Sequence, residues 1–222
     1  MNNGKLYIVA TPIGNLGDIT LRALETLRSV DFILCEDTRV TKKLLDKYEI
    51  VKPTISYHHH SDAKKVKEIR NLLTEGKNLA LVTDAGTPGI SDPGNILVSD
   101  LIKNNILDIV PIPGASAITS ALSICGFPTD KFVFFGFPPH KNKRQKFFKE
   151  LAVCEHTAVF YESGHRITKC LKELQEFLNP KQQIMIGREL TKQFETIYRG
   201  TINDISTMKM DERGEFVIVI NK

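Results

Sequence analysis

Short apolar runs alternate with amphipathic stretches from the first residues onward. The segments 6–10, 31–35, 54–57, 79–82 and 108–110 are apolar, brief and bounded by turn residues, which predicts strands. Between them, 21–28, 40–48, 63–74, 95–103 and 116–125 carry apolar positions at helical spacing. In 63–74, Val66, Ile69 and Leu73 recur three to four residues apart, and Lys64, Lys65, Lys67, Glu68 and Arg70 cover the remaining face. Strands alternating with helices predict a parallel sheet covered by helices. The stretch 126–130, Gly-Phe-Pro-Thr-Asp, interrupts the pattern and predicts a junction. Beyond it, strands are predicted at 132–135, 157–161, 183–186, 196–199 and 216–220, with helices at 143–152, 167–177 and 202–208. The expected organisation is α/β throughout: one lobe over 1–126 and a second over 127–222.

Composition narrows the class. A chain of 222 residues can bury a sizeable core as one large or two small domains. An apolar content of 41% with 25% charged residues is that of a soluble globular protein. No apolar run approaches the ~20 residues of a membrane helix. The first residues lead directly into an apolar strand without a leader pattern, so a cytoplasmic protein is expected. Cys35, Cys125, Cys154 and Cys170 lack the paired short spacing of a zinc site and read as reduced structural cysteines. The formal charge of +4 permits a polyanionic partner without demanding one.

The most informative segment is Thr83-Asp84-Ala85-Gly86-Thr87-Pro88-Gly89-Ile90-Ser91-Asp92-Pro93-Gly94, between a predicted strand and helix. Connections in α/β units typically need about 2–6 residues, so this one either serves a ligand or is a long turn without one. Gly permits close backbone approach to a ligand, and open α/β sheets bind ligands at the carboxyl ends of their strands. Three further loops share that position. Thr11-Pro12-Ile13-Gly14-Asn15-Leu16-Gly17-Asp18 follows the first strand, with too few glycines for a dinucleotide fingerprint and no P-loop Gly-Lys-Ser/Thr. Glu36-Asp37-Thr38-Arg39 ends the second strand; it either orients a polar substrate or caps a helix through Asp37 or Thr38. Pro113-Gly114-Ala115-Ser116-Ala117 is a small-residue turn suited to ligand contact or to close packing. The triplet His58-His59-His60 alternates faces in an extended chain and so does not converge on one ion; no metal is expected.

The segment Lys141-Asn142-Lys143-Arg144-Gln145-Lys146 opens a predicted helix on which Lys149 also lies, opposed only by Glu150. Such a cluster suits phosphate contact, and equally a solvated helix face with Phe147 and Phe148 packed inward.

These loops, in this order, resemble the tetrapyrrole methylase superfamily. Within it, the chain is most similar to the small-subunit ribosomal RNA methyltransferase I family. The phrases that carry the likeness are Ala10-Thr11-Pro12-Ile13-Gly14-Asn15-Leu16-Gly17-Asp18-Ile19-Thr20, Glu36-Asp37-Thr38-Arg39, Asp84-Ala85-Gly86-Thr87-Pro88 and Phe160-Tyr161-Glu162-Ser163 with His165-Arg166. Arg188-Glu189-Leu190-Thr191-Lys192 and Gly214-Glu215-Phe216-Val217 complete the set, which spans residues 6–220. Gly86-Thr87-Pro88 stands where the tetrapyrrole branch typically has Gly-Asp-Pro, which points away from porphyrin substrates.

The resemblance implies the class III methyltransferase fold, with S-adenosylmethionine in a cleft between the two lobes. It implies donor contacts from Pro12, Ala85, Gly86, Thr87, Ile90, Ser116, Ala117, Glu162 and Leu190. It implies 2′-O-methylation of a cytidine ribose in small-subunit ribosomal RNA, free or in the assembled subunit, by a homodimer. RNA contacts would then come from Arg39, Lys141, Lys143, Arg144, Lys146, Arg166 and Arg188, and the candidates for a base are Glu162 and Asp37. Family members commonly continue into a basic C-terminal extension; here Asn221 and Lys222 follow Ile220, so the lobes, a partner or the assembled particle are expected to supply the grip. The rivals are a methylase of the same fold acting on a metabolite or protein side chain, and a non-catalytic RNA-binding or ribosome-assembly factor.

Overall fold

The computed structural model describes residues 3–59 and 61–222. They form two compact units, Met1–Ser116 and Ala117–Lys222.

The first unit contains β1 (Leu6–Val9), α1 (Leu21–Ser29), β2 (Phe32–Cys35), α2 (Thr38–Lys47), β3 (Thr54–Ser56), α3 (Ala63–Thr74), β4 (Leu79–Leu81), α4 (Asn95–Lys103) and β5 (Ile109–Ile112). Its strands form one parallel sheet in the order β3-β2-β4-β1-β5. Because side chains alternate across a strand, each strand feeds two cores. Ile33, Cys35, Ala80 and Val82 pack with Ala23, Leu24 and Leu27 of α1. Leu34, Leu79 and Leu81 pack instead with Val66, Ile69 and Leu73 of α3 and Leu97 and Leu101 of α4. Side-chain caps fix the starts of α1 and α3: Thr20 accepts from the Ala23 N–H at 3.1 Å, and Asp62 from the Lys65 N–H at 2.9 Å.

This strand order places the functional loops. β4 and β1 are neighbours, with β2 beyond β4 and β5 beyond β1. The four motif loops therefore leave adjacent strands at the carboxyl edge, where ligands bind in open α/β sheets.

The second unit opens with α5 (Ala117–Cys125), then β6 (Phe132–Phe134), α6 (Arg144–Val153), β7 (Thr157–Ser163), α7 (Gly164–Phe177), β8 (Gln183–Arg188), β9 (Thr196–Thr201), α8 (Ile202–Thr207) and β10 (Glu215–Ile220). The sheet order is β6-β7-β10-β8-β9; β6 and β7 are parallel and the remaining pairs antiparallel. Phe147, Phe148, Ile167, Leu171, Leu174 and Ile205 of the helices cover Phe160, Ile186 and Ile218 of the strands. The sequence puts the junction at 126–127; the units divide earlier because α5 packs on β10 and β7. All four cysteines are free, three of them buried. Among the described residues, no helix is long and apolar enough to cross a membrane.

Candidate functional site

The loops after β1 and β4 are joined through their backbones. The Thr11 N–H donates to the Gly86 carbonyl at 2.9 Å, and the Gly86 N–H returns a bond to the Thr11 carbonyl at 3.1 Å. The buried Thr11 hydroxyl also donates to the Thr83 carbonyl at 3.0 Å. Gly86 has φ +80°, a conformation that side-chain-bearing residues rarely adopt. A Cβ there would meet Ile13 Cγ2 at 3.5 Å and the Ala115 carbonyl oxygen at 3.8 Å, ordinary contact distances. Gly86 is itself buried, so a side chain longer than a methyl would press on the loops after β1 and β5. Around it, Pro12 is buried, Ala85 and Thr87 are half-buried, and Ile90 is exposed. The far arm of the loop closes on itself: the Gly89 N–H donates to the Pro93 carbonyl and the Asn95 amide to the Gly89 carbonyl. Ser116 ends the first unit and Ala117 opens the second, both half-buried.

At the end of β2 the capping reading holds. Asp37 accepts from the Arg39 N–H at 2.8 Å and pairs with the Arg39 guanidinium at 2.6 Å. The side-chain hydrogen bond from Arg39 lowers the Asp37 carboxyl to about 2. Asp37, one of the two expected base candidates, is thus an ionised carboxylate held by Arg39. Arg39 is exposed, with its guanidinium engaged by Asp37. The Asp37 N–H donates to Asp84 Oδ1 at 3.1 Å, tying the β2 and β4 loops together. Burial raises the Asp84 carboxyl, and the charge of Asp37 adds to the effect. Burial likewise raises Glu36, aided by the charge of Asp84.

The folded chain thus holds the protons of Glu36 and Asp84 more tightly than the unfolded chain does. Their contribution favours folding below the unfolded carboxylate range and is lost as pH rises through the folded values. Asp84→Asn keeps the oxygen that Asp37 uses and removes the charge. The variant should melt no lower than the parent at pH 7, and its relative advantage should vanish near pH 3, below the ordinary carboxylate range of about 4. A lower melting temperature confined to pH 7 would mean that Asp84 is favourably paired as an anion.

In the second unit, Glu162 near the end of β7 has a fully buried side chain. Its Oε1 accepts from the Ser163 N–H at 2.9 Å and from Arg166 Nη2 at 2.7 Å, and its Oε2 accepts from Arg144 Nη2 at 3.2 Å. Arg144 also pairs with Glu173 of α7 at 2.7 Å and lies over the Phe148 ring, 5.4 Å from its centroid. Both oxygens of Glu162, expected as base and donor ligand, are thus engaged by partners within the protein. Arg144 and Arg166 belong to the same network, so neither presents a free guanidinium to RNA. Arg188 is buried as well; it donates to the Arg213 and Phe194 carbonyls and pairs with Asp211 at 3.0 Å. Leu190 is buried close to Gly187, where a Cβ would fall 2.9 Å from Leu190 Cδ2.

Lys141, Lys143 and Lys146 are exposed, as is Lys149. With Arg144 and Gln145 they line an open cavity of about 450 Å³. Lys143 precedes α6 at φ 67°, and no side chain caps the helix. The first N–H groups of α6 and the lysines thus favour anions together.

The sequence missed the ion network. Its signal was available: a carboxylate ending an apolar strand, with Arg166 one helical turn further on. His60 of the histidine triplet lies outside the described residues; His58 and His59 precede Ser61, whose hydroxyl accepts from the His58 N–H at 2.9 Å.

Residues 5–206 match the family described as Tetrapyrrole (Corrin/Porphyrin) Methylases. The chain is 48% identical over 220 residues to Ribosomal RNA small subunit methyltransferase I of Synechocystis sp., covering 98% of this chain and 78% of that protein. It is 45% identical over 221 residues to the protein of the same name from Thermotoga maritima, covering 98% of each. The solved structure of the methyltransferase CobJ superposes with a TM-score of 0.74 at 17% identity, over 99% of this chain and 94% of that one, a likeness of fold alone. The chain belongs to the tetrapyrrole methylase family and, within it, to the ribosomal RNA small subunit methyltransferase I group.

Proposed function

We propose that this chain is an S-adenosylmethionine-dependent methyltransferase that methylates the 2′-hydroxyl of a cytidine ribose in small-subunit ribosomal RNA. The observation that carries the reading is the positive-φ Gly86 loop, paired with the loop after β1 at the carboxyl edge of a parallel sheet in a chain of this family. S-adenosylmethionine, when bound, supplies a methyl group on a sulfonium for displacement by the ribose oxygen. Pro12, Ala85, Gly86, Thr87, Ile90 and Ser116 are the residues of the first unit that would hold it. The Thr11–Gly86 backbone pair fixes the two loops before any ligand arrives, which lowers the ordering cost of binding. Ile13 and Ile90 offer apolar surface to a ligand, and the Asp84 carboxylate suits a cationic group. Aligning hydroxyl and methyl carbon at about 3–3.5 Å supplies much of the acceleration.

On the RNA side, the exposed lysines at the entrance of α6 are the groups best placed to meet phosphate. Replacing Lys141, Lys143 and Lys146 together by Glu should weaken binding to small ribosomal subunits. The salt dependence should flatten by about 2 in the logarithmic slope, at roughly 0.7 for each phosphate of a single strand that is no longer neutralised. Affinity for S-adenosylmethionine, followed by calorimetry, should not change. An unaltered Michaelis constant and salt slope would make these lysines a solvated helix face.

The test of the whole reading is transfer of labelled methyl from S-adenosylmethionine to unmodified small subunits. Label on a metabolite or protein instead would favour the same-fold rival, and RNA binding without transfer to any acceptor would favour an assembly factor.

A further inference from the structure

β6 is an edge strand, and the chain that leaves it runs first apolar and then basic. Phe137 is 49% exposed. Its ring centroid lies 5.2 Å from that of Tyr161, and the Phe134 ring lies 5.1 Å from the same tyrosine. An aromatic on a loose loop would fold onto the surface and withdraw from water. Here the ring packs against Tyr161 on one side, and the backbone around it is held through the carbonyls of Gly136, Pro138 and Pro139. The Tyr161 N–H donates to the Gly136 carbonyl at 2.9 Å. Arg166 Nη1 donates to the Pro138 carbonyl at 3.1 Å, and Arg144 Nη1 to the Pro139 carbonyl at 3.2 Å. Both guanidiniums meet on the buried carboxylate of Glu162. Two residues beyond Pro139 begin the exposed lysines of the α6 entrance.

A half-exposed ring on a held backbone, followed by clustered cations, matches single-stranded nucleic acid, whose bases stack on aromatics while its phosphates seek positive charge. A second copy of the chain fits less well. An isologous contact through this face would set lysines against lysines, with Glu150 the nearest relief.

We propose that Phe137 stacks on a base of the RNA strand that carries the target ribose. Glu162 is a positioning residue: through Arg166 and Arg144 it fixes Pro138 and Pro139, and so sets the ring and the lysines along one strand. This rests on the RNA methyltransferase reading above and assigns the substrate side of that reaction.

The experiment compares Phe137→Ala, Phe137→Trp and Glu162→Gln in the full chain, with unmodified small subunits and labelled S-adenosylmethionine. Phe137→Ala should raise the Michaelis constant for subunits about 10-fold, within the range for loss of one stacked base. Its salt slope should match the parent, because no charge is removed, and kcat and donor affinity should hold within about twofold of the parent, stacking being made equally in ground and transition states. Phe137→Trp should restore the parent constant. Glu162→Gln should raise the same Michaelis constant while calorimetric affinity for S-adenosylmethionine stays at the parent value, a split that general destabilisation would not give.

If the parent transfers label to RNA and Phe137→Ala does so with an unchanged Michaelis constant, stacking is overturned and the proposed function stands. If Phe137→Ala instead converts a dimer to monomers in sedimentation, the face belongs to a second copy and the proposal is overturned. If the parent transfers no label to RNA, the proposed function falls and the stacking assignment falls with it.

Discussion

Gly86→Leu is expected to abolish S-adenosylmethionine binding in a chain that still folds. A leucine at φ +80° costs about 1–3 kcal/mol of backbone strain. That is a fraction of the roughly 5–15 kcal/mol by which domains are stable. The Cβ itself fits, at 3.5 Å from Ile13 Cγ2 and 3.8 Å from the Ala115 oxygen. The rest of the side chain has to continue between those loops, against the face assigned to the donor. Gly86→Ala separates the two effects, since it carries the same strain with little added volume. It should lose stability similarly and retain measurable binding. Circular dichroism melts and calorimetry on the pair check both halves. A folded Gly86→Leu chain with parent affinity would move the donor away from this loop.

Arg144→Leu should be the most destabilising of the changes in the basic segment, by about 3–5 kcal/mol, because it strips one partner from a buried carboxylate. Glu162 would keep Arg166 and the Ser163 N–H, while Glu173 would lose its closest cation. The tie from Arg144 to the Pro139 carbonyl would go as well. Lys141 and Lys143, a few residues earlier and exposed, should change stability by no more than about 0.5 kcal/mol when replaced by Ala. Urea denaturation of the three variants measures the contrast. Equal stability for all three would show that Glu162 is hydrated in solution and that the arginine is dispensable.

That contrast marks where the legibility of the sequence ends. Strands and helices were legible because burial imposes period on the chain: Ile33 and Cys35 point to one core and Leu34 to the other, and Val66, Ile69 and Leu73 form one stripe. The position of the four loops was legible too, since an α/β sheet puts its long Gly/Pro-rich connections at one edge. Individual charges were not. Arg144 sits among lysines in a run that reads uniformly basic, yet it alone turns inward, because α6 must bury Phe147, Phe148 and Leu151 and Arg144 lies on that same face. Glu162 and Arg188 share the difficulty: a motif fixes which loop a residue belongs to and leaves its direction to packing. The junction moved for a related reason. The apolar helix α5 is continuous in pattern with the helices before it, and only its packing on β10 and β7 assigns it to the second unit.

Methylation of a ribose in small-subunit RNA leaves a chemical trace that no rival activity leaves. To detect it, the protein is incubated with unmodified small subunits and labelled S-adenosylmethionine, and the label is mapped by mass after nuclease digestion. The expected result is label on the sugar of a cytidine, with alkaline cleavage blocked at the adjoining phosphate, since a methylated 2′-oxygen cannot attack it. Label on a base, on a ribosomal protein or on a small metabolite, with the RNA sugars untouched, would contradict the proposed function.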